Sequence, residues 1–333
     1  MGTLINILQG IADAIKEKAK DQETMTAQEF GSVLFGISEA YLSISMVDLV
    51  GRGLKAIKKM NIDGQNIRTI KSKAFANMSS IIEIEIGSGV SGIETNAFTY
   101  CSGIETVYIP ENITEIGGGA FSGCSKLSTI TVDENNSTYY SMGNAIIKKD
   151  GDVIVQGCKD TAFSDNIKGI EKLAFQAIPI QTVVLPDSVT SMGNDAFASS
   201  GVTNVVLSKN LNTIPQNAFF NCGGLASVTI PDGIATIGKN AFYLCGSLTE
   251  VTIPSSIANI GDGVFNGCKN VAKYDFSACT NPPQFGTGVF DGTQLEGWRI
   301  IIPDGKYYIW SKVANLSSYA NNMYYSNGDK AGA

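Results

Sequence analysis

The stretch "ITEIGGGAFSGCSKLSTITV", residues 113–132, contains three consecutive glycines, a cysteine, and apolar residues with no single helical or strand period. Taken alone, it is compatible with a glycine-rich phosphate loop or with a reactive-cysteine site. Two other stretches follow the same plan, "ATIGKNAFYLCGSLTEVTI" from Ala235 and "ANIGDGVFNGCKNVAKYDF" from Ala258. Residues 113–132 are therefore one copy of a repeat, and the repeat decides the fold.

An Ala-Phe or Val-Phe pair marks each copy. Its phenylalanines are spaced by 23, 23, 54, 22, 22, 23, 23 and 25 residues, and self-similarity at a period of about 20–29 residues is typical of a solenoid. In five copies a cysteine lies three residues after the phenylalanine. The phenylalanines and cysteines are Phe75, Phe98, Phe121, Phe175, Phe197, Phe219, Phe242, Phe265, Phe290, Cys101, Cys124, Cys222, Cys245 and Cys268.

Two apolar features complete the repeat. An isoleucine or methionine lies five residues before most of the phenylalanines, and an apolar triad such as Leu127, Ile130 and Val132 follows them. The last two members of the triad alternate with polar residues, as in a strand with one buried face. One repeat cannot bury its apolar side alone, but stacked copies form a continuous core. We predict a strand at each triad, a helical or 3₁₀ turn at each Ala-Phe pair, and a core ladder of the phenylalanines and cysteines.

The pattern I-x-x-I-(G)-x-x-A-F-x-x-C-x-x-L-x-x-V-x-I-P resembles the BspA-type (Treponema pallidum-like) leucine-rich repeat over about residues 65–305. The resemblance implies an α/β leucine-rich-repeat solenoid that is right-handed and curved, with a parallel β-sheet on one side. In bacteria it implies surface or secreted proteins that adhere to host matrix or to other cells. It supplies no catalytic residue.

The chain departs from the repeat at its start. Apolar residues at helical spacing in residues 4–15 and a capping box at Thr26 and Glu29 predict an N-terminal helical module over residues 1–40. This module resembles one found on bacteriophage or prophage structural proteins, and a simple cap on the first rung is the alternative. Residues 41–305 are assigned to the solenoid, whose first repeat, residues 41–64, is degenerate.

An insertion and a C-terminal cap complete the predicted organisation. The long gap before Phe175 contains "NAIIKKDGDVIVQG", in which Asp150-Gly151 separates two β-prone runs, so we predict an inserted hairpin at about residues 133–165. Residues 306–333 form the cap and tail. We predict that residues 299–302 form the last strand and that the cap begins with an amphipathic helix. The helix contains Tyr307, Trp310, Val313 and Leu316.

The composition argues against several classes of function. The sequence has no histidine, which removes Ser-His-Asp and Cys-His nucleophile activation, so we expect no enzyme. The net charge of −7 argues against binding of a nucleic-acid backbone. No run of apolar residues is long enough to predict membrane insertion. No signal peptide is visible, so export by another route, removal of a leader and retention where the chain is made stay open.

The glycines and cysteines have structural interpretations. Residues 117–119 are turn positions, like the equivalent residues 238–240 and 261–263 of other copies. A phosphate loop is not indicated, because no P-loop lysine with serine or threonine follows them. The column cysteines are expected to be reduced core residues that behave as small hydrophobes. Cys158 and Cys279 fall outside the column, and their pairing is left open. Since CxxC spacing and histidine are both absent, we expect neither zinc nor any cofactor.

The exposed positions of the strands are the candidate ligand face, and a merely solvated sheet face is the alternative. We predict a non-catalytic adhesion protein, on a bacterial surface or secreted, with a protein or glycan ligand on host matrix or another cell. The alternative is a phage or prophage structural protein of the tail or virion, docked by residues 1–40, which could also self-associate. The candidate face residues are Glu83, Glu85, Thr106, Tyr108, Thr129, Thr131, Asn204, Glu250, Lys273 and Asp275.

Overall fold

The structure is a computed structural model that describes residues 24–26, 59–62, 68–294 and 296–332. The described residues divide into two compact units. The first lies within Met1–Asp150 and Ile154–Ala162, and the second within Gly151–Val153 and Phe163–Ala333. Each unit is a stack of parallel β-solenoid turns, as the repeat predicts. Among the residues that the structure describes, no helix is both long enough and apolar enough to cross a membrane.

The repeats of the first unit each contribute a longer strand with one buried face. In the second of these strands, Ile84 and Ile86 are buried while Glu83 and Glu85 are exposed, which is the alternation that the triad predicts. In chain order, the first eleven strands are β1 (Thr24–Thr26), β2 (Lys59–Ile62), β3 (Thr69–Ile70), β4 (Glu83–Ile86), β5 (Gly92–Ile93), β6 (Thr106–Ile109), β7 (Glu115–Ile116), β8 (Thr129–Val132), β9 (Tyr139–Met142), β10 (Ala145–Lys148) and β11 (Val153–Gln156).

The second unit repeats this arrangement. Strands β13, β15 and β17 form one parallel sheet, and β19, β21, β23 and β24 form another. The strands of this part of the chain are β12 (Gly169–Ile170), β13 (Thr182–Val184), β14 (Ser191–Met192), β15 (Asn204–Val206), β16 (Thr213–Ile214), β17 (Ser227–Thr229), β18 (Thr236–Ile237), β19 (Glu250–Thr252), β20 (Asn259–Ile260), β21 (Lys273–Asp275), β22 (Gln284–Phe285), β23 (Arg299–Ile302) and β24 (Met323–Tyr325).

A second row of short strands lies in each unit. The isoleucine five residues before the phenylalanine ends a two-residue strand, and Ile93 pairs in parallel with both Ile70 and Ile116. In the second unit, β16, β18, β20 and β22 form the corresponding sheet. The sequence interpretation placed a parallel sheet on one side only and missed these strands. Two residues are too few to show the alternation by which a strand is recognised.

The predicted turn at the Ala-Phe pair is a hydrogen-bonded turn that contains two left-handed residues. In the opening repeat, Gly119 and Gly123 have φ values of 69° and 71°. The equivalent residues of the other repeats also have positive φ, and such residues do not continue a right-handed helix. Gly117 serves a different purpose, since a Cβ there would lie 2.3 Å from the Thr95 backbone nitrogen. The three glycines are therefore part of a tight turn.

Stacked phenylalanines run through the core of each unit. In the first unit, the rings of Phe98 and Phe121 have centroids 5.2 Å apart and planes within 1° of parallel. Backbone bonds join the same turns, as the Phe98 amide donates to the Ala120 carbonyl at 2.8 Å. In the second unit, parallel rings continue through Phe175, Phe197, Phe219, Phe242, Phe265 and Phe290.

The insertion supplies side-chain partners to the last repeat of the first unit. Strands β9 and β10 pair antiparallel, and Asp150-Gly151 lies in the turn between β10 and β11. The Phe121 amide donates to Gln156 Oε1 at 3.2 Å, in place of the backbone carbonyl that the next repeat provides elsewhere. The Ile116 amide likewise donates to Tyr139 Oη at 3.0 Å. The insertion thus satisfies backbone groups that the interrupted stack would leave open.

The C-terminal cap differs from the prediction. The helix α1 (Tyr307–Trp310) is a single turn, so the predicted helix through Val313 and Leu316 is wrong. Asn315 has φ +64°, a left-handed conformation that ends any right-handed helix. A 3₁₀ helix (Ser317–Asn322) and β24 follow. The Ala331 amide donates to the Met323 carbonyl at 3.0 Å, so the tail covers the outer edge of β24 and protects it from further pairing.

The helices predicted for residues 1–40 lie outside the described residues. Within this segment the structure describes Thr24–Thr26, which form β1 and pair in parallel with β2. The boundaries at residues 40 and 305 stay predictions. The strand itself shows that part of the N-terminal segment joins the solenoid sheet.

We expect Phe219→Ala to lower the free energy of unfolding by about 3–5 kcal/mol. Phe219 is fully buried, and its ring lies 5.4 Å from the rings of both Phe197 and Phe242. Urea denaturation followed by circular dichroism measures the loss. The control is Phe220→Ala, which removes a half-buried ring from the next position and should cost clearly less. Equal losses would contradict the ladder as the main source of stability.

We expect Gln156→Leu to destabilise the first unit by about 1–3 kcal/mol, because the buried Phe121 amide loses its acceptor. Hydrogen exchange at that amide should accelerate, which NMR or mass spectrometry can follow. Gln216→Leu changes an exposed glutamine and should alter stability by no more than about 0.5 kcal/mol. An unchanged exchange rate at Phe121 in the Gln156 variant would refute the capping role of the insertion.

Candidate functional site

The candidate face residues fall on both units. Six of them lie on adjacent strands of the first unit and all six are exposed. We name this set the Tyr108 face: Glu83, Glu85, Thr106, Tyr108, Thr129 and Thr131. The remaining four lie on the second unit, where Asn204 and Glu250 are exposed and Lys273 and Asp275 are half-buried.

The Tyr108 face is an array of two columns. Strands β6 and β8 pair in parallel, with Thr106 opposite Thr129 and Tyr108 opposite Thr131. Glu83 and Glu85 stand one repeat earlier at the equivalent positions of β4. Neighbouring strands of a sheet lie about 4.8 Å apart. The backbone therefore holds the paired residues of β6 and β8 at fixed and short spacings, while β4 pairs with β2 in a neighbouring sheet.

Lys59 of β2 extends this face, and the sequence interpretation missed it. Its Nζ lies 2.7 Å from Glu83 Oε1 and 3.6 Å from Glu85 Oε2. The hydrogen bond to Glu83 raises the pKa of Lys59 above its ordinary value. Lys59 is paired with Glu83 in the strand register, so a closer alignment of the degenerate first repeat could have identified it. Both glutamates are more than half exposed, and water screens the ion pairs strongly.

Tyr108 is held in place by Asp133, which the sequence interpretation also missed. The Tyr108 hydroxyl donates to Asp133 Oδ2. This hydrogen bond is the main cause that raises the pKa of Tyr108 and lowers the pKa of Asp133. The Asn135 amide donates to the other Asp133 oxygen at 2.8 Å. The tyrosine ring is 48% exposed, so it presents a fixed aromatic surface to solvent.

The face of the second unit has a different character. Val184 and Val206 are register partners on β13 and β15, and they are 54% and 44% exposed. The Ser227 hydroxyl donates to Asn204 Oδ1 at 2.9 Å. In the other sheet of this unit, Lys273 Nζ of β21 lies 3.2 Å from Glu250 Oε2 and 3.6 Å from Asp275 Oδ2. The exposed residues of β13, β15 and β17 are neutral, and the charges of this face form one cluster of a lysine and two carboxylates.

The thiols of the column cysteines make hydrogen bonds, which the sequence prediction of small hydrophobic residues did not include. Each thiol donates to the carbonyl of the phenylalanine one repeat earlier, such as Cys101 to Phe75 at 2.9 Å and Cys245 to Phe219 at 3.2 Å. Burial raises the pKa of Cys101 to about 12 and that of Cys222 to about 11. A thiol with such a pKa is almost wholly protonated near neutral pH and is a poor nucleophile.

Cys158 and Cys279 are free and buried like the column cysteines. The Cys158 thiol donates to the Asn144 carbonyl at 3.3 Å, and that of Cys279 to the Pro254 carbonyl at 3.5 Å. Neither is joined in a disulfide. Among the residues that the structure describes, no group of three or more Cys, Asp or Glu side chains is arranged to hold a metal ion.

Comparisons with known proteins agree with the repeat and the fold. A family model described as "BspA type Leucine rich repeat region (6 copies)" matches residues 52–145, 155–273 and 190–319. A leucine rich cell surface protein from Faecalibacterium prausnitzii A2-165 is similar in structure, with 23% identity and a TM-score of 0.55 over 78% of this chain. The present chain spans only 63% of that protein.

A second solved structure is similar to a comparable degree. It is the pneumococcal vaccine antigen PcpA, which is 17% identical to this chain with a TM-score of 0.54. The match covers 82% of this chain and 67% of the PcpA chain. At such low identity, both likenesses show the fold alone. No curated protein matches the sequence.

We expect none of the seven cysteines to react with a thiol reagent such as DTNB while the protein is folded, because all are buried. In denaturant, all seven should react at once. The rate in native buffer should follow the rate of unfolding, measured in parallel by fluorescence. Rapid reaction of one or more thiols in the folded protein would contradict this burial.

Proposed function

Because the chain belongs to the BspA-type leucine-rich repeat family, we propose that it is a non-catalytic binding protein that acts in adhesion at a bacterial surface or in secreted form. Its ligand is a protein or glycan of host matrix or of another cell. The observation that carries this proposal is the exposed side-chain array on the strands. The array stands on a stacked core whose phenylalanines and cysteines are buried.

The exposed array has the properties of a binding surface. Its side chains project from paired strands, so the backbone loses little conformational entropy when a partner binds. The Tyr108 face combines an aromatic ring with carboxylates, hydroxyls and an ammonium group. Such a mixture suits recognition, and repetition of modest contacts along a solenoid favours avidity over strength at a single point.

Surface or extracellular location is supported by the similar structures. One is described as a cell surface protein and the other as a vaccine antigen. Both descriptions belong to those proteins, and the family membership extends the idea to this chain. Its export route is a separate question, which expression in the native host with cell fractionation answers.

A phage or prophage structural role is the second candidate. It rests on the resemblance of residues 1–40 and predicts docking or self-association through them. The pairing of Thr24–Thr26 with β2 favours the simple cap instead, because it commits this part of the segment to the solenoid sheet. Light scattering of the full chain and of a deletion of residues 1–23, which keeps β1, distinguishes the two. Loss of an oligomer on deletion would favour the assembly role.

Binding of the full chain to an array of matrix proteins, mucins and glycans tests the adhesion proposal. We expect at least one ligand to bind, and binding to weaken at least tenfold in either Tyr108→Ala or Val206→Lys, one on each face. Glu171→Lys changes an exposed residue away from both faces and serves as the control. If no ligand binds, or if the control weakens binding equally, the proposal fails.

A further inference from the structure

We infer that the Tyr108 face binds a protein segment that presents arginine or lysine side chains. This inference rests on the proposed binding function and names the chemistry of the partner for one face. It draws on three features of the face: a fixed aromatic ring, an excess of negative charge and the spacing of the strands.

The Tyr108 ring is prepared for contact. Strand β6 lies between β4 and β8 in the stack. The Tyr108 hydroxyl is held by Asp133, whose own orientation is set by the Asn135 amide. The ring still exposes about half of its surface. Rotamer entropy that is already lost in the free protein does not oppose binding. Tyrosines in such positions are common anchors of protein interfaces.

The charge around the ring selects a cationic partner. Glu85 stands at the equivalent position one repeat earlier, and Asp133 and Glu111 both act electrostatically on the Tyr108 hydroxyl. Glu83 adds another carboxylate, and Lys59 balances only part of the total. Complementary charge accelerates association and repels partners of the wrong sign. Sulfated or sialylated glycans and anionic lipids are therefore disfavoured on this face.

The geometry suits a guanidinium or ammonium group. A cation within about 6 Å of a tyrosine ring centre gains a cation–π attraction. Because β4 lies next to β6 in the stack, a cation over Tyr108 also approaches the Glu85 side of the face. The hydroxyls of Thr106, Thr129 and Thr131 can pair with the backbone of the bound segment.

The second unit contains this pairing within its own chain. Arg299 of β23 places its guanidinium carbon 4.5 Å from the ring centre of Tyr324 on β24. Arg299 is exposed and Tyr324 is half-buried. Stacking of an arginine on a strand tyrosine is thus geometrically compatible with this solenoid. On the Tyr108 face, no described residue of the chain provides such a cation over the ring, and we assign that place to the partner.

The test uses the full chain and a 12-residue synthetic peptide of glycine, serine and regularly spaced arginines. Its affinity is measured by isothermal calorimetry at two salt concentrations. We expect Tyr108→Ala and Glu85→Gln each to weaken binding at least fivefold, and higher salt to weaken it further. The matched controls are Tyr308→Ala, at an exposed tyrosine of α1, and Glu171→Gln, at an exposed glutamate. Both should bind like the wild type.

Two results would overturn the inference. If Glu171→Gln weakens binding as much as Glu85→Gln, the peptide is attracted by net charge alone. If a neutral chito-oligosaccharide binds and is lost in Tyr108→Ala, while the arginine peptide is unaffected, the face recognises sugar. Thermal unfolding midpoints check that each variant is folded, and Tyr108→Phe, which keeps the ring, should retain most of the binding.

Failure of this inference can be told apart from failure of the adhesion proposal. Array binding that survives Tyr108→Ala but is lost in Val206→Lys would leave adhesion in place and remove the Tyr108 face as its site. Specific peptide binding without any ligand on the array would support the cationic partner and contradict adhesion to those ligands.

Discussion

The fold depends on one geometric constraint, which is that each repeat must return the chain to the same lateral position one strand further along. Left-handed residues two positions before and two after each phenylalanine make that return possible, as Gly119 and Gly123 do around Phe121. The turn then presents its amides to the carbonyls of the next turn. Once this return is fixed, equivalent residues lie above one another, and every other feature of the core follows from that stacking.

Stacking explains the composition of the columns and the exceptions within them. A ring that lies parallel to its neighbours fits every turn, and a cysteine fits because its thiol reaches the phenylalanine carbonyl of the previous turn. The residue type at the left-handed position two residues after each phenylalanine varies more. Tyr100 and Leu244 occupy it with φ values of 58° and 59°, at a cost of about 1–2 kcal/mol each. The next repeat has Gly123 and Gly267 beneath them, where a side chain would collide with theirs.

Features that recur in sequence could be predicted, and features made by single contacts could not. The triad strands, the phenylalanines and the buried cysteines repeat with a fixed period, so each copy supports the others. The two-residue strands carry too little pattern to be recognised. The acceptors Gln156 and Tyr139 act once, where the stack is interrupted, and nothing in their spacing reveals it. Asn315 likewise prevents a helix from continuing to Leu316, through a left-handed backbone conformation that the amphipathic pattern around it does not reveal.

Core residues and exposed strand residues differ in what they indicate about function. Residues that stack in the core are dictated by the fold and therefore say little about partners. The exposed strand positions are free of that constraint, and they differ between the units. The first has carboxylates, threonines and Tyr108, and the second has valines, small polar residues and the cluster of Lys273 with Glu250 and Asp275. A difference that packing does not require is best explained by what the surface meets.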